Sequence, residues 1–132
     1  MIFVDSSFWI AQMLPRDSHH RETGALEKAH DLGRLVTSSA VIAETWTFLR
    51  RRSGHRTAIM WLDRVLDAGN VRRERIDDDI DAEAWAWLRV HDERAYSFVD
   101  ATSFALMRRL RLTDALAFDG DFAAAGFNEL RS

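Results

Sequence analysis

The chain has 132 residues, nearly half of them hydrophobic, and a formal net charge of −3 at neutral pH. Its length and apolar content suit one domain, residues 1–132, burying roughly two-thirds of the surface the unfolded chain exposes. The absence of cysteine excludes disulfides, thiolate metal sites and thiol nucleophiles, and the charge gives no bulk electrostatic sign of a nucleic-acid binder.

Taken in chain order, Ile2 to Val4 is a short apolar run closed by Asp5, the pattern of a buried strand. Ser6-Ser7 offers a cap to a short helix carrying Phe8, Trp9, Ala11, Met13 and Leu14, which Pro15, the only proline, ends. His20 to Asp31 reads as helix with Gly33 as its stop, and Leu35-Val36 as a second strand. Thr37-Ser38-Ser39 caps a helix with Val41, Ile42, Thr45, Trp46 and Leu49 at helical spacing, closed by Ser53-Gly54. Another helix spans Thr57 to Leu66, Gly69-Asn70 turns the chain, and Val71 to Ile76 alternates weakly, as an edge strand does. Asp77-Asp78-Asp79 opens a helix bearing Ile80, Ala84, Trp85 and Leu88. The next helix runs from Val99 or Asp100 to Leu110, and Ala115 to Phe118 makes a fourth strand. A short helix at Phe122 to Ala125 and a strand at Phe127 to Leu130 finish the chain.

Short apolar strands alternating with amphipathic helices predict an α/β fold with a mainly parallel sheet and helices on its faces. No segment reaches the roughly 18 continuous apolar residues of a membrane span, and the N-terminus opens directly on a strand pattern without the marks of a signal peptide. The expectation is a soluble, cytoplasmic protein with no membrane partner.

The acids fall where function is expected. Asp5 and Asp119 close apolar runs, Asp100 follows Phe98-Val99, and Glu44 interrupts Ala40-Val41-Ile42-Ala43. Carboxylates seldom lie beside core residues unless paired, hydrogen-bonded or bound to a cation. In parallel α/β sheets, ligands bind beyond the carboxyl ends of the strands; Asp5, Asp100 and Asp119 all point to that rim. Such carboxylates suit Mg²⁺, with Mn²⁺ as a substitute, and one or two such ions would activate a water and stabilise charge on a phosphoryl group. The hydroxyls of Ser6 or Ser7 can orient a carboxylate from behind.

Each acid also has a plainer reading. Asp5 and Asp100 can cap helices, Asp119-Gly120 is a turn pair, and Glu44 can pair with a buried arginine. The Asp77–Asp81 run is no EF-hand, since Ala82 and Leu88 stand where Gly and Glu are required; it suits a helix N-terminus. The five histidines lack metal-ligand spacing, and no G-x-S-x-G occurs. Arg50, Arg51, Arg52 and Arg56 have three readings: RNA phosphate contacts, a solvated helix end, or a protein-binding surface. Arg108, Arg109 and Arg111 are expected to be structural. Trp46, Trp61, Trp85 and Trp87 are expected in the core or at a dimer contact.

Four segments in order, Val4-Asp5-Ser6-Ser7-Phe8-Trp9, Val41-Ile42-Ala43-Glu44, Phe98-Val99-Asp100-Ala101 and Phe118-Asp119-Gly120-Asp121-Phe122, resemble the acidic motifs of the PIN-domain ribonucleases. Length and order resemble the VapC-type toxins of bacterial toxin–antitoxin pairs. The resemblance implies a three-layer α/β/α sandwich around a mainly parallel sheet. It implies a Mg²⁺-dependent endoribonuclease leaving 5′-phosphate and 3′-hydroxyl ends, with Asp5, Glu44, Asp100 and Asp119 as catalytic metal ligands. Asp121 is implied as a companion ligand, direct or through water, and Ser7 as a supporting polar residue. RNA is the implied substrate, a small antitoxin the implied partner and a homodimer the implied assembly. Trp9 is bulkier than the aliphatics usual at its place in the motif. A receiver domain, which also gathers acids at strand ends, is disfavoured because the only lysine, Lys28, lies far too early. Two other readings are a PIN ribonuclease of RNA maturation outside a toxin pair and a non-catalytic RNA- or protein-binding domain.

Overall fold

The apolar runs Ile2–Val4 and Asp114–Leu116, with Leu35–Ser38 beside them, assemble at the centre of one sheet in the computed structural model, which describes residues 1–132. The elements follow as β1 (Ile2–Val4), α1 (Ser6–Met13), α2 (His20–Ala29), β2 (Leu35–Ser38), α3 (Ser39–Ser53) and α4 (His55–Asp67). Then come β3 (Val71–Glu74), α5 (Asp78–Val90), α6 (Phe98–Leu110), β4 (Asp114–Leu116), α7 (Asp121–Ala124) and β5 (Asn128–Glu129).

Every strand pair is parallel and the order is β3-β2-β1-β4-β5. A wholly parallel sheet must have both faces covered, because its crossovers lay helices on them. Right-handed connections carry the chain outward from β1 to β3 with α1 to α4 on one face, then back past β1 with α5 to α7 on the other. The packing agrees: α1 meets α2 and α3, α3 meets α4, and α5 and α7 each meet α6. Phe3, Val4, Val36, Ala115 and Leu116 are fully buried between these layers. Trp61 on α4 and Phe104 on α6 fill the space on either side of them. The edge strand β3 is the one strand with exposed residues at its centre, Arg72 and Arg73, as its weak alternation predicts.

One expectation needs correction and one is narrowed. The fourth strand stops at Leu116 and does not reach Phe118, because its partner β1 ends at Val4, opposite Leu116, and turns into α1. Trp85 is half exposed and stacks on Phe98 with ring centroids 4.3 Å apart, so it is not a core residue of the monomer. Trp61, by contrast, is buried as expected. Arg108 and Arg109 take the expected structural role, pairing with Glu83 and Asp77. No helix is long and apolar enough to cross a membrane.

The order of strands locates the site. The chain leaves β1 in one direction and returns on its other side, so the gap beyond the carboxyl ends of β1 and β4 is the switch point where α/β sheets open a crevice. Asp5 follows β1 directly, and Ala117-Phe118 leads from β4 to Asp119.

Candidate active site

Asp5 is the N-cap of α1, and its side chain, 2 % exposed, is held by Ser7 alone. The Ser7 amide donates to Oδ2 at 3.2 Å and its hydroxyl donates to the same oxygen at 2.7 Å. Ser7 Oγ also accepts the Phe118 amide at 3.1 Å, fastening the chain just before Asp119 to the start of α1. Ser7 therefore positions Asp5 and Asp119 together. The cap of α1 is Asp5, not Ser6-Ser7, so capping and site roles coexist in one side chain.

Asp100 lies in the first turn of α6, where Ser97 is the N-cap. Asp100 Oδ2 accepts the Ser97 amide at 2.9 Å and Ser97 Oγ accepts the Asp100 amide at 2.9 Å, a reciprocal capping box. The box fixes the rotamer of a carboxylate that is 8 % exposed.

Asp119 and Asp121 flank Gly120, whose φ of 82° is the left-handed conformation that glycine adopts without strain. Asp119 Oδ1 accepts the Asp121 amide at 3.2 Å. Glu129, on β5 with its side chain 5 % exposed, supports this turn from below. Its carboxylate accepts the Gly120 amide at 3.3 Å and the Ala123 amide at 3.0 Å, while Arg131 donates to it at 3.1 Å.

The turn brings carboxylate oxygens of Asp100, Asp119 and Asp121 within 4.8 Å of one another. Drawn inward, these three carboxylates could together hold a divalent cation. The donors are all hard oxygens, which suits Mg²⁺ or Mn²⁺ and not a soft metal. Asp5 stands outside this tightest group but close enough for its charge to be felt. Burial chiefly pushes its carboxyl up to about 7, the charges of Asp119 and Asp100 add to the rise, and the Ser7 hydrogen bonds oppose it. Burial also leads in raising Asp100 to about 6, with Asp121 and Asp119 contributing. Asp119 is raised as well, by burial first and then by Asp121 and Glu129. Mutually repelling, desolvated carboxylates of this kind call for a cation.

Glu44 sits mid-helix on α3 and reaches the site through a serine: Ser6 Oγ donates to Glu44 Oε2 at 2.6 Å. Ser6 adjoins Asp5, so Glu44 is tied to the same corner of the rim, and no arginine pairs with it. Beyond Glu44 a groove of about 730 Å³ runs along α3, lined by Ala43, Thr47, Phe48, Arg51 and Arg52, with Val99 of α6 opposite. Of the four arginines singled out in the sequence, Arg51 and Arg52 line this groove, whereas Arg50 and Arg56 do not.

Two residues of the site escape a sequence reading. Glu129 gives no signal, being one acid in a two-residue strand. Arg94, in the loop before α6, donates from Nε to Asp121 Oδ1 at 2.9 Å and from Nη2 to the Asp119 carbonyl at 3.2 Å. In the sequence it is a single arginine in an exposed Asp92-Glu93-Arg94 loop, with nothing to set it apart.

The PIN domain family model matches residues 2–128. The 23S rRNA-specific endonuclease VapC20 of Mycobacterium tuberculosis is 50 % identical over 131 residues, covering 99 % of this chain and 98 % of that protein, in each of two strains. The crystal structure of M. tuberculosis VapC20, described as a sarcin–ricin loop cleaving toxin, superposes with a TM-score of 0.94 at 48 % identity, covering all of both chains. The FitAcB structure from Neisseria gonorrhoeae shares the fold, with a TM-score of 0.66 at 17 % identity over 98 % of this chain and 96 % of that one.

Proposed function

The chain belongs to the PIN-domain family, and from that premise we propose that it is the endoribonuclease toxin of a VapBC-type toxin–antitoxin pair. The observation that carries the proposal is the meeting of the Asp100, Asp119 and Asp121 carboxylates at the switch point of the sheet, with buried Asp5 beside them. They lie in a chain half identical to a 23S rRNA-specific endonuclease along nearly its whole length.

On this reading Asp5, Glu44, Asp100 and Asp119 hold Mg²⁺, for which Mn²⁺ substitutes, and Asp121 is their companion ligand, direct or through water. Bound there, the ion supplies Lewis acidity toward a phosphodiester and a lowered pKa for water. The protein's part is to keep the carboxylates converged and ionised: Ser7 aims Asp5, the Ser97 box aims Asp100, Ser6 aims Glu44, and Glu129 holds the turn bearing Asp119. Hydrolysis of this type leaves a 5′-phosphate and a 3′-hydroxyl. Arg51 and Arg52 on the groove wall offer positive charge to an RNA strand approaching Glu44, compensating a net charge that is otherwise negative.

The relative's target suggests the substrate, the sarcin–ricin hairpin of 23S rRNA. The partner is a small antitoxin protein, the toxin assembles as a homodimer, and residues 1–132 act as one nuclease domain in the cytoplasm. The test is to incubate the purified protein with 23S rRNA and Mg²⁺ and to map new RNA ends. Discrete 5′-phosphate ends from the wild type, absent with Asp100→Asn or EDTA, are the expected result. Identical end maps from the wild type and Asp100→Asn would overturn the proposal.

A further inference from the structure

Arg94 forms the only ion pair made by any of the five site acids. The geometry of that pair says more than charge neutralisation. A guanidinium has five N–H donors in a planar fork, and it offers two edges with paired donors. Arg94 spends the side edge, Nε and Nη2, on the protein: Asp121 Oδ1 at 2.9 Å and the Asp119 carbonyl at 3.2 Å. The end edge, formed by Nη1 and the second hydrogen of Nη2, makes no hydrogen bond within the chain, and the side chain is 40 % exposed.

We propose that Arg94 is a substrate-positioning residue that grips an RNA phosphate with its free end edge, and that Asp121 and the Asp119 carbonyl serve to aim it. The inference rests on the nuclease reading above and deepens it. Two parallel N–H donors match two non-bridging phosphate oxygens, the bidentate geometry in which arginine surpasses lysine. The anchoring atoms belong to the turn that carries Asp119, so the phosphate held by Arg94 lies beside the metal-binding acids. Asp121 thereby acquires a role that its place in the acidic motif does not reveal: it orients a cation of the protein. A guanidinium anchored in this way has already lost most of its rotamer freedom, so little ordering remains to be done when RNA arrives.

The test uses a transcript of the 23S rRNA sarcin–ricin hairpin with wild type, Arg94→Gln, Arg94→Lys and Asp100→Asn. Hairpin binding is followed by fluorescence anisotropy in Ca²⁺ over a salt series, cleavage in Mg²⁺, and metal affinity by Mn²⁺ titration. Arg94→Gln is expected to weaken binding and raise KM by about tenfold. It should also flatten the slope of log affinity against log salt by about 0.7, one phosphate contact. Arg94→Lys, which keeps charge without the fork, should fall between, and neither variant should bind Mn²⁺ more weakly than wild type. Unchanged RNA affinity and salt slope in Arg94→Gln would overturn the assignment, as would a loss of Mn²⁺ affinity, which would make Arg94 a scaffold for the acids. A wild type that cuts no faster than Asp100→Asn, while Arg94→Gln still binds RNA less tightly, would overturn the nuclease reading and leave the phosphate contact standing.

Discussion

Ser6 Oγ donates a 2.6 Å hydrogen bond to Glu44 Oε2, joining the first turn of α1 to the middle of α3 across thirty-eight residues of chain. Without it Glu44 is a carboxylate on a helix flank with no polar partner. With it, Glu44 is held against the residue that follows Asp5. The relationship makes Ser6 a positioning residue. Ser6→Ala is expected to lower cleavage by about 10- to 100-fold, the usual cost of losing a group that orients a metal ligand, which is the role proposed for Glu44. Melting temperature should change little, because the hydroxyl lies at the rim and not in the core. Circular dichroism melting beside single-turnover cleavage checks both halves.

The raised carboxyls predict how metal-free stability depends on pH. Asp5 at about 7 and Asp100 at about 6 both stand above an ordinary aspartate near 3.8. Their contribution is fully present below the unfolded value and is lost as pH rises through 6 and then 7, because the folded site must then hold unscreened charges. In EDTA the protein should therefore melt several degrees lower at pH 8 than at pH 5, a difference of roughly 1–3 kcal/mol. Under the proposed function, saturating Mg²⁺ should abolish or reverse the trend, since the ion would bind the ionised acids. Differential scanning calorimetry at the two pH values, with and without Mg²⁺, measures it.

Removing a buried charge should separate stability from activity. Asp5→Asn is expected to abolish cleavage while leaving the metal-free protein at least as stable as wild type at pH 8, because asparagine keeps the Ser7 amide bond and carries no charge to desolvate. Urea unfolding in EDTA provides the comparison. A variant that is inactive because it is unfolded would not satisfy this expectation.

How far these features could be read from sequence depended on whether each is local. The strands around Phe3, Val36 and Ala115 are short apolar runs, and their burial on both faces follows from a parallel sheet, so the α/β class and the rim were legible. The placement of Asp5, Asp100 and Asp119 at that rim was legible because each closes or follows such a run. The end of β4 was not, since Ala117-Phe118 reads as more strand and only the end of β1 stops the pairing. Arg94 and Glu129 were invisible for a related reason. Their meaning lies in contacts with Asp121 and Gly120, which are distant along the chain or hidden behind it. For Trp85, helical spacing shows a face but not what covers it; in the monomer it is half exposed, which leaves the core reading out.

The turn bearing Asp119 gives another expectation. Glu129 caps two amides of that turn and is nearly inaccessible, so Glu129→Ala leaves the Gly120 and Ala123 amides without an acceptor. A loss of about 1–3 kcal/mol of stability follows, with Mn²⁺ affinity reduced because Asp119 is no longer fixed. Chemical unfolding and Mn²⁺ titration of the same sample test the pair of effects.

The most direct test of the central claim is a Mn²⁺ titration at pH 7.5 of wild type, Asp5→Asn, Asp100→Asn and Asp119→Asn, followed by calorimetry. The account predicts saturable binding to the wild type and an affinity more than about tenfold weaker in each variant. Equal affinities across the four proteins would contradict it.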